Sequence, residues 1–450
     1  MVVSPAALVG AGVPARCAGR ATRTVLRVDA AETGETVETE QAVSQTRPGE
    51  SEAEMSKRVV LAYSGGLDTS VAVHWMGKEL GVEVIALAAD VGQGGDFSAI
   101  EDRARAAGAV EVEVVDARAD LAAHYVAPAI RANARYEGRY PLVSALSRPV
   151  ISAALVDAAR RYGADAVAHG CTGKGNDQVR FEVSVRALAP ELEVLAPVRM
   201  WGLTREDCIA YAAAHDIPVQ VRSDSPYSID ENLWGRAIEC GVLEDPWESP
   251  PADVFALTAE TATGESSFSL TFDEGVPTAL DGRALPLEQL VAEVGAIVGP
   301  YGWGRVDMVE NRRVGIKSRE VYECPGALAI LAAHEDLEGL TLERDVAHEK
   351  ARLEPRWAEL VYDGLWFSPL RQAIDAFVES TQRHVSGEVR LTCSPGRCDV
   401  AGRRSEVSLY DYELATYSAG DRFEHRHAEG FVRLWGESLS TWARRQGGAG

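Results

Sequence analysis

Positive charge is scarce in this 450-residue chain: 45 Lys and Arg stand against 68 Asp and Glu, a formal net charge of -23. An excess of that sign repels a phosphate backbone, so nucleic acid is not the expected partner. Cysteine is scarce too, with seven residues widely scattered. So sparse and odd a set excludes a disulfide framework and points to a reducing compartment, the cytoplasm. Nowhere does an uninterrupted apolar run reach the roughly 18 residues that a membrane-spanning helix needs. What remains is an ordinary globular composition, 46% hydrophobic and 25% charged, over a length that suits two domains.

Residues 1–54 read differently from the rest. Arg16, Arg20, Arg23 and Arg27 lie in an Ala/Gly-rich stretch, and an acidic Thr/Glu run follows from Asp29 to Glu54. Little there can bury a core, so a disordered leader is expected. Gly10-Ala-Gly12-Val-Pro-Ala15 matches a dinucleotide fingerprint on paper, but only nine residues precede it and no ribose-binding acid follows a second strand. The acidic continuation argues against a transit peptide. Met55 opens directly onto a strand and offers an alternative start.

From Val59 onward, short apolar runs alternate with helical patterns, as parallel strands joined by crossover helices do. Strands are expected over Val59 to Tyr63, Val84 to Ala89, Val110 to Val115, Ala164 to Ala168 and Val194 to Ala196. Helices are expected over Thr69 to Leu80, Ile100 to Ala107, Pro149 to Tyr162 and Arg205 to His215, the last with a capping box of Thr204 and Asp207. These elements make a doubly wound, mostly parallel α/β sheet over residues 55–222. A mixed α+β domain is expected over 223–429, with a strand at Phe268 to Phe272 and helices at Leu287 to Val298, Asp345 to Tyr362 and Pro369 to Val385. The tail, 430–450, reads as a helix with Phe431, Val432, Trp435, Leu439 and Trp442 on roughly one face, able to pack on its own domain or on a second protomer.

The strongest chemical signal is Ser64-Gly-Gly-Leu-Asp68-Thr-Ser70, between the first strand and the first helix. Two glycines let backbone approach an anion, Ser64, Thr69 and Ser70 add hydroxyls, and the helix N-terminus adds unpaired N–H groups. No Lys follows at Walker spacing, so this is a different phosphate loop. Asp68 would repel polyphosphate unless a cation stood between them, which predicts Mg²⁺ there. The string resembles the pyrophosphate loop of the N-type ATP pyrophosphatases, which cleave ATP to AMP and pyrophosphate. That resemblance implies an adenine nucleotide alpha hydrolase-like fold, ATP held by Ala62, Tyr63, Ser64, Gly65, Gly66, Leu67, Asp68, Thr69, Ser70, Ala89 and Gly170, and catalytic roles for Asp68 and Lys174.

A second glycine-rich loop, His169-Gly-Cys-Thr172-Gly-Lys174-Gly-Asn176-Asp177-Gln-Val-Arg180, follows the fourth expected strand, at the end where open α/β sheets bind ligands. It closely resembles the corresponding loop of argininosuccinate synthases. Tyr136-Glu-Gly-Arg-Tyr140, Ser225-Pro-Tyr-Ser228-Ile-Asp-Glu-Asn-Leu233 and Glu310-Asn-Arg-Arg through Tyr322 extend the likeness in family order over about 360 residues. The likeness implies aspartate on Thr172, Asn176 and Asp177, and citrulline on Tyr140, Asn176, Arg180, Ser228, Glu310 and Tyr322. It also implies condensation of the two amino acids through a citrullyl-AMP intermediate, in a homotetramer. A tRNA-adenylating relative is the alternative, and it would need a basic surface or a poised cysteine pair.

Several residues depart from the family pattern. Ala145 and Ala237 replace hydroxyl residues, although Ser144 is adjacent to the first, and Cys171, Arg313 and Glu320 also differ. Citrulline affinity is where a lost hydroxyl would be felt, at roughly 0.5 to 1.5 kcal/mol for each neutral hydrogen bond. Cys393-Ser-Pro-Gly-Arg-Cys398 reads as a hairpin turn, because no second ligand pair stands at zinc spacing. His425-Arg-His427 likewise lacks partners and reads as a solvated loop.

Overall fold

Alternation along a single strand organises the first half of the structure. In β1 (Arg58–Ala62), Val59 and Leu61 point into one apolar core, with Leu67, Val71 and Met76, while Val60 points into another, with Leu155, Val156 and Val185. A strand buried on both faces must be covered by helices on both sides. The computed structural model describes residues 57–219 and 226–447. The expected leader, 1–54, and the domain boundary at 222–223 lie outside the described residues, as does Ser225.

The first sheet contains β1, β2 (Glu83–Asp90), β3 (Glu111–Asp116), β4 (Ala166–His169) and β5 (Glu193–Leu195), all parallel, in the order β3-β2-β1-β4-β5. Its helices are α1 (Leu67–Trp75), α2 (Phe97–Ala106), α3 (Val143–Tyr162), α4 (Asp177–Leu188) and α5 (Arg205–Ala214). The Thr204–Asp207 capping box is present at the start of α5. Two helices differ from their sequence patterns. α3 begins at Val143, so Pro149 lies inside it; burial of Val143, Leu146 and Val150 outweighs the missing N–H donor. α4, which reads as loop in the sequence, forms because Phe181 and Val185 find a core.

Beyond the first sheet the chain turns antiparallel. β6 (Ser228–Asn232) and β7 (Gly235–Glu239) join β11 (Arg305–Asn311) and β12 (Lys317–Glu323) in the order β11-β12-β7-β6. β8 (Ser266–Asp273), β9 (Val276–Leu280) and β10 (Arg283–Ala284) join β13 (Gly387–Ser394) and β14 (Arg397–Arg404) in the order β10-β9-β8-β13-β14. The helices here are α6 (Leu287–Val298), α7 (Pro325–Thr341), α8 (Arg344–Tyr362), α9 (Pro369–Gln382) and the C-terminal α10 (Arg426–Arg445). α7 has no counterpart in the sequence pattern, since Ala327, Ala329, Ile330, Leu331 and Ala333 are all buried and a helix apolar nearly all round shows no amphipathic period. Cys393 and Cys398 flank the β13–β14 turn, as their Pro-Gly spacing implied.

One buried polar network ties α7, α8 and α9 together. Asn133 Nδ2 donates to Glu338 Oε2 (2.7 Å) and Glu354 Oε1 (2.8 Å), and Gln382 Nε2 donates to Glu338 Oε1 (2.5 Å). Those carboxylates fix both amides so that their oxygens face His334, at 2.6 Å from Nδ1 and 2.8 Å from Nε2. A neutral imidazole has one N–H, and two acceptors require two. Burial pulls the His334 pKa down, but this pattern holds the ring protonated. The imidazolium and Lys350 then balance Glu338 and Glu354, with Lys350 Nζ at 3.0 and 2.6 Å from them. Removing one member of a buried, balanced set leaves an unpaired charge. Lys350→Met is therefore expected to lower unfolding free energy by about 3 kcal/mol or more. A urea midpoint equal to the parent's would contradict this account of the network.

Candidate active site

At the boundary between β1 and β4, chain connections leave in opposite directions, and the crevice beyond the strand ends opens there. Both glycine-rich loops start at this point. Gly65 has φ +74°, a conformation open to glycine, and turns the chain into α1. A Cβ on Gly170 would come within 2.8 Å of Thr69 Cγ2, so the second loop can lie against the first only without a side chain there. The helix cap of α1 is Gly66, which offers no side-chain cap, and its first-turn N–H groups are available to a ligand. Ser64 Oγ sits 3.2 Å from Thr69 Oγ1. The cleft between the loops measures about 430 Å³. Ala62, Leu87, Ala89, Phe97 and Ile100 make its apolar wall, and Ser64, Asp68, Thr69 and Gly170 its polar one.

Asp68 lines this cleft with no hydrogen bond or ion pair among the described residues, and burial raises its pKa against the pull of Arg205. Tyr63 also faces the cleft, its hydroxyl 2.9 Å from the buried Ser70 Oγ. Leu67 and Ser70 lie beneath the loop in the protein interior, and Gly65 and Gly66 form its turn. On the second loop, Thr172 and Lys174 are exposed.

Asp177 opens α4 and lines the same cleft. Its carboxylate receives Arg148 at Oδ2 (2.8 Å) and Arg180 at Oδ1 (2.8 Å). Burial would raise its pKa, but the two guanidinium groups more than reverse this and hold it at about 2. Arg148 also reaches Asp230 at 2.8 Å. The sequence assigns no role to Arg148 or Asp230; the signals are an arginine in an otherwise apolar stretch ahead of Pro149, and the place of Asp230 inside the string that begins at Ser225.

Deeper in the protein, a second cluster gathers residues far apart in sequence. Glu310 accepts from Tyr322 Oη (2.9 Å) and Tyr362 Oη (2.6 Å). Asn176 Nδ2 donates to Tyr362 Oη (2.8 Å), and Asn176 Oδ1 accepts from the Arg313 backbone N–H (2.9 Å). Arg180 donates to the Tyr362 carbonyl (3.1 Å), with its guanidinium carbon 4.9 Å from the centre of that ring. Tyr136 stacks on Tyr362 at 3.5 Å, and Tyr140 stacks on Tyr322 at 4.1 Å. Tyr140 Oη accepts from the Ser144 N–H (2.9 Å), beside the buried Ala145. Burial raises the pKa of Glu310, opposed by both tyrosine hydroxyls. Glu320, by burial and then by the charges of Glu239 and Glu310, is pushed up to about 8 although Arg312 pairs with it.

Five of the expected citrulline residues, Tyr140, Asn176, Arg180, Glu310 and Tyr322, thus lie in or beside one cluster. Ser228 does not: it stands exposed at the start of β6, paired across the strands with Glu239. Tyr362, the centre of the cluster, is in the sequence only the last residue of the helix expected over Asp345 to Tyr362. Its sequence neighbourhood carries no motif, and its place depends on α8 delivering it to α4.

The sequence profile of the arginosuccinate synthase N-terminal HUP domain matches residues 58–218, and that of the arginosuccinate synthase C-terminal domain matches residues 227–442. Partial likenesses among solved structures include a "predicted subunit of tRNA methyltransferase" from Methanocaldococcus jannaschii, 14% identical over 35% of this chain and 75% of that one, with a TM-score of 0.25. Another is the U34-tRNA thiolase NcsA from Methanococcus maripaludis, 15% identical over 40% and 64%, with a TM-score of 0.26. Because the two profiles together span most of the sequence, from the phosphate loop through the Tyr322 strand and into α10, the chain belongs to the argininosuccinate synthase family of ATP-dependent ligases.

Proposed function

We propose that this protein condenses citrulline with aspartate, cleaving ATP to AMP and pyrophosphate through a citrullyl-AMP intermediate. The observation that carries the reading is an uncapped glycine-rich loop and an ion-paired Asp177 on one crevice, with Arg180 and Asn176 leading from Asp177 to a buried tyrosine–glutamate cluster behind it. Pyrophosphate lies against the Ser64–Ser70 turn, where α1 directs free N–H groups, and Lys174 adds charge from the facing loop. The adenine rests on Ala62, Ala89 and Ile100. Aspartate takes Thr172, Asn176 and Asp177, and citrulline takes Tyr140, Asn176, Arg180, Glu310 and Tyr322.

The citrulline ureido oxygen attacks the α-phosphorus, and the aspartate amine then displaces AMP. Neither step calls for a protein nucleophile; positioning and electrostatics can carry them. Asp68 is suited to Mg²⁺, since it is a partly buried carboxylate with no ion pair among the described residues, set in the cleft where phosphates would lie. Among the described residues no group of three or more His, Cys, Asp or Glu could hold a metal by itself; Asp68 would hold the ion together with the nucleotide's phosphates. When bound, the ion would neutralise charge on the phosphates.

The cytoplasm suits the scattered free cysteines, and no described helix is long and apolar enough to cross a membrane. Assembly into a homotetramer is supported by α10, none of whose residues is buried among the described residues: Phe431, Val432, Leu434, Trp435, Leu439 and Trp442 are all exposed.

Pyrophosphate release from ATP should require citrulline and aspartate together, and oxygen-18 in the ureido group should appear in AMP. Formation of ADP, or unlabelled AMP, would overturn the mechanism. Asp68→Asn is expected to lower kcat on the order of 100-fold, and full turnover would remove its metal role. Tyr362→Phe keeps the ring but loses the bonds to Glu310 and Asn176, so kcat/KM for citrulline should fall roughly 10-fold or more while KM for ATP stays put. A uniform loss for all three substrates would contradict that assignment. Truncation before Gly430 should reduce the mass seen by light scattering; an unchanged oligomer would refute the role of α10.

A further inference from the structure

The β13–β14 hairpin carries a feature that adenylate chemistry does not use. Its strands are joined by Pro395 and Gly396, the latter at φ +75°. A two-residue turn makes Ser394 and Arg397 the first, hydrogen-bonded pair, so the next pair along the ladder is non-hydrogen-bonded. At such positions facing side chains approach most closely. Cys393 and Cys398 occupy them, with Sγ atoms 3.1 Å apart. Both side chains pack in the main core; Cys393 is 0% exposed, and Cys398, on the edge strand of its sheet, is 8% exposed. No other two cysteines are hydrogen-bonded to each other among the described residues.

We propose that Cys393 and Cys398 form a reversible dithiol–disulfide site that reacts with small disulfide oxidants. The sulfurs need close only from 3.1 Å to the roughly 2.0 Å of a disulfide. The Cys398 thiolate, on the more exposed side, attacks one sulfur of oxidised glutathione, breaking its S–S bond and releasing one glutathione thiolate. The Cys393 thiolate then attacks Cys398 Sγ, forming the intramolecular bond and releasing the second glutathione. Two electrons pass from the protein sulfurs to glutathione, and the two protons that the protein thiols lose are taken up by the two glutathione thiolates. The resulting link ties the edge strand β14 to the buried β13, at a turn already held by the Gly396 N–H bond to the Tyr301 carbonyl (2.7 Å).

The full-length folded chain, incubated with equal oxidised and reduced glutathione, alkylated and cut with trypsin without reductant, provides the test. Trypsin cleaves after Arg397, so the peptides Leu391–Arg397 and Cys398–Arg403 remain joined only by the proposed bond. At least half the chains should yield the joined pair, and Cys393→Ser should convert it to a glutathione adduct on Cys398. Recovery of both peptides alkylated, or each merely glutathionylated, in the parent would overturn the site. Oxidation should also raise Tm in the parent but not in the Cys393→Ser/Cys398→Ser double variant. Equal Tm values for the oxidised and reduced parent would overturn the locking of β14.

Discussion

Parallel pairing of β1 with β4 is the constraint on which the rest of the site depends. Val59 to Ala62 align with Ala166 to His169, so both strands end at the same level and two loops of opposite origin meet above them. α1 begins directly after the first loop and α4 directly after the second, and neither has a side-chain cap. Two helix N-termini therefore face one crevice, where their unpaired N–H groups and dipoles favour anions. Glycine at 170 permits the contact with Thr69 that closes the gap between the loops. With a Cβ there the loops would separate, and the charged groups behind them would lose their register.

Behind the crevice the fold solves a different problem, which is how to bury many polar groups without leaving them unpaired. Asp177 is satisfied by two arginines, Glu310 by two tyrosines, and Asn176 by Tyr362 and the Arg313 backbone. Such a network holds each member in one orientation before a ligand arrives, which lowers the ordering cost of binding. Its rigidity is drawn from the large core beneath, where α7, α8 and the His334 network fix the position from which Tyr362 reaches the site.

The phosphate loop and the second glycine loop were legible in sequence because each is local: its residues, its turn and the helix that follows are contiguous. The same holds for the Thr204–Asp207 cap and the Cys393–Cys398 turn. Arg148, Asp230 and Tyr362 were not, since each acquires meaning only through a partner tens or hundreds of residues away. Ser228 shows the converse, a residue inside a recognisable motif whose strand leaves it at the surface.

By itself, then, the amino-acid order determined the parallel α/β sheet and the glycine-rich turn after its first strand, because apolar periodicity and short-range turn chemistry are written along the chain, and its motif strings carried the resemblance to the family. Tertiary structure alone decided that Pro149 would sit inside a helix, that the stretch after Asn176 would be helical, and that Tyr362 would join Glu310 to Asn176. The reason is common to all three. Burial and long-range hydrogen bonding outweigh local propensity, and neither can be read until distant segments have packed.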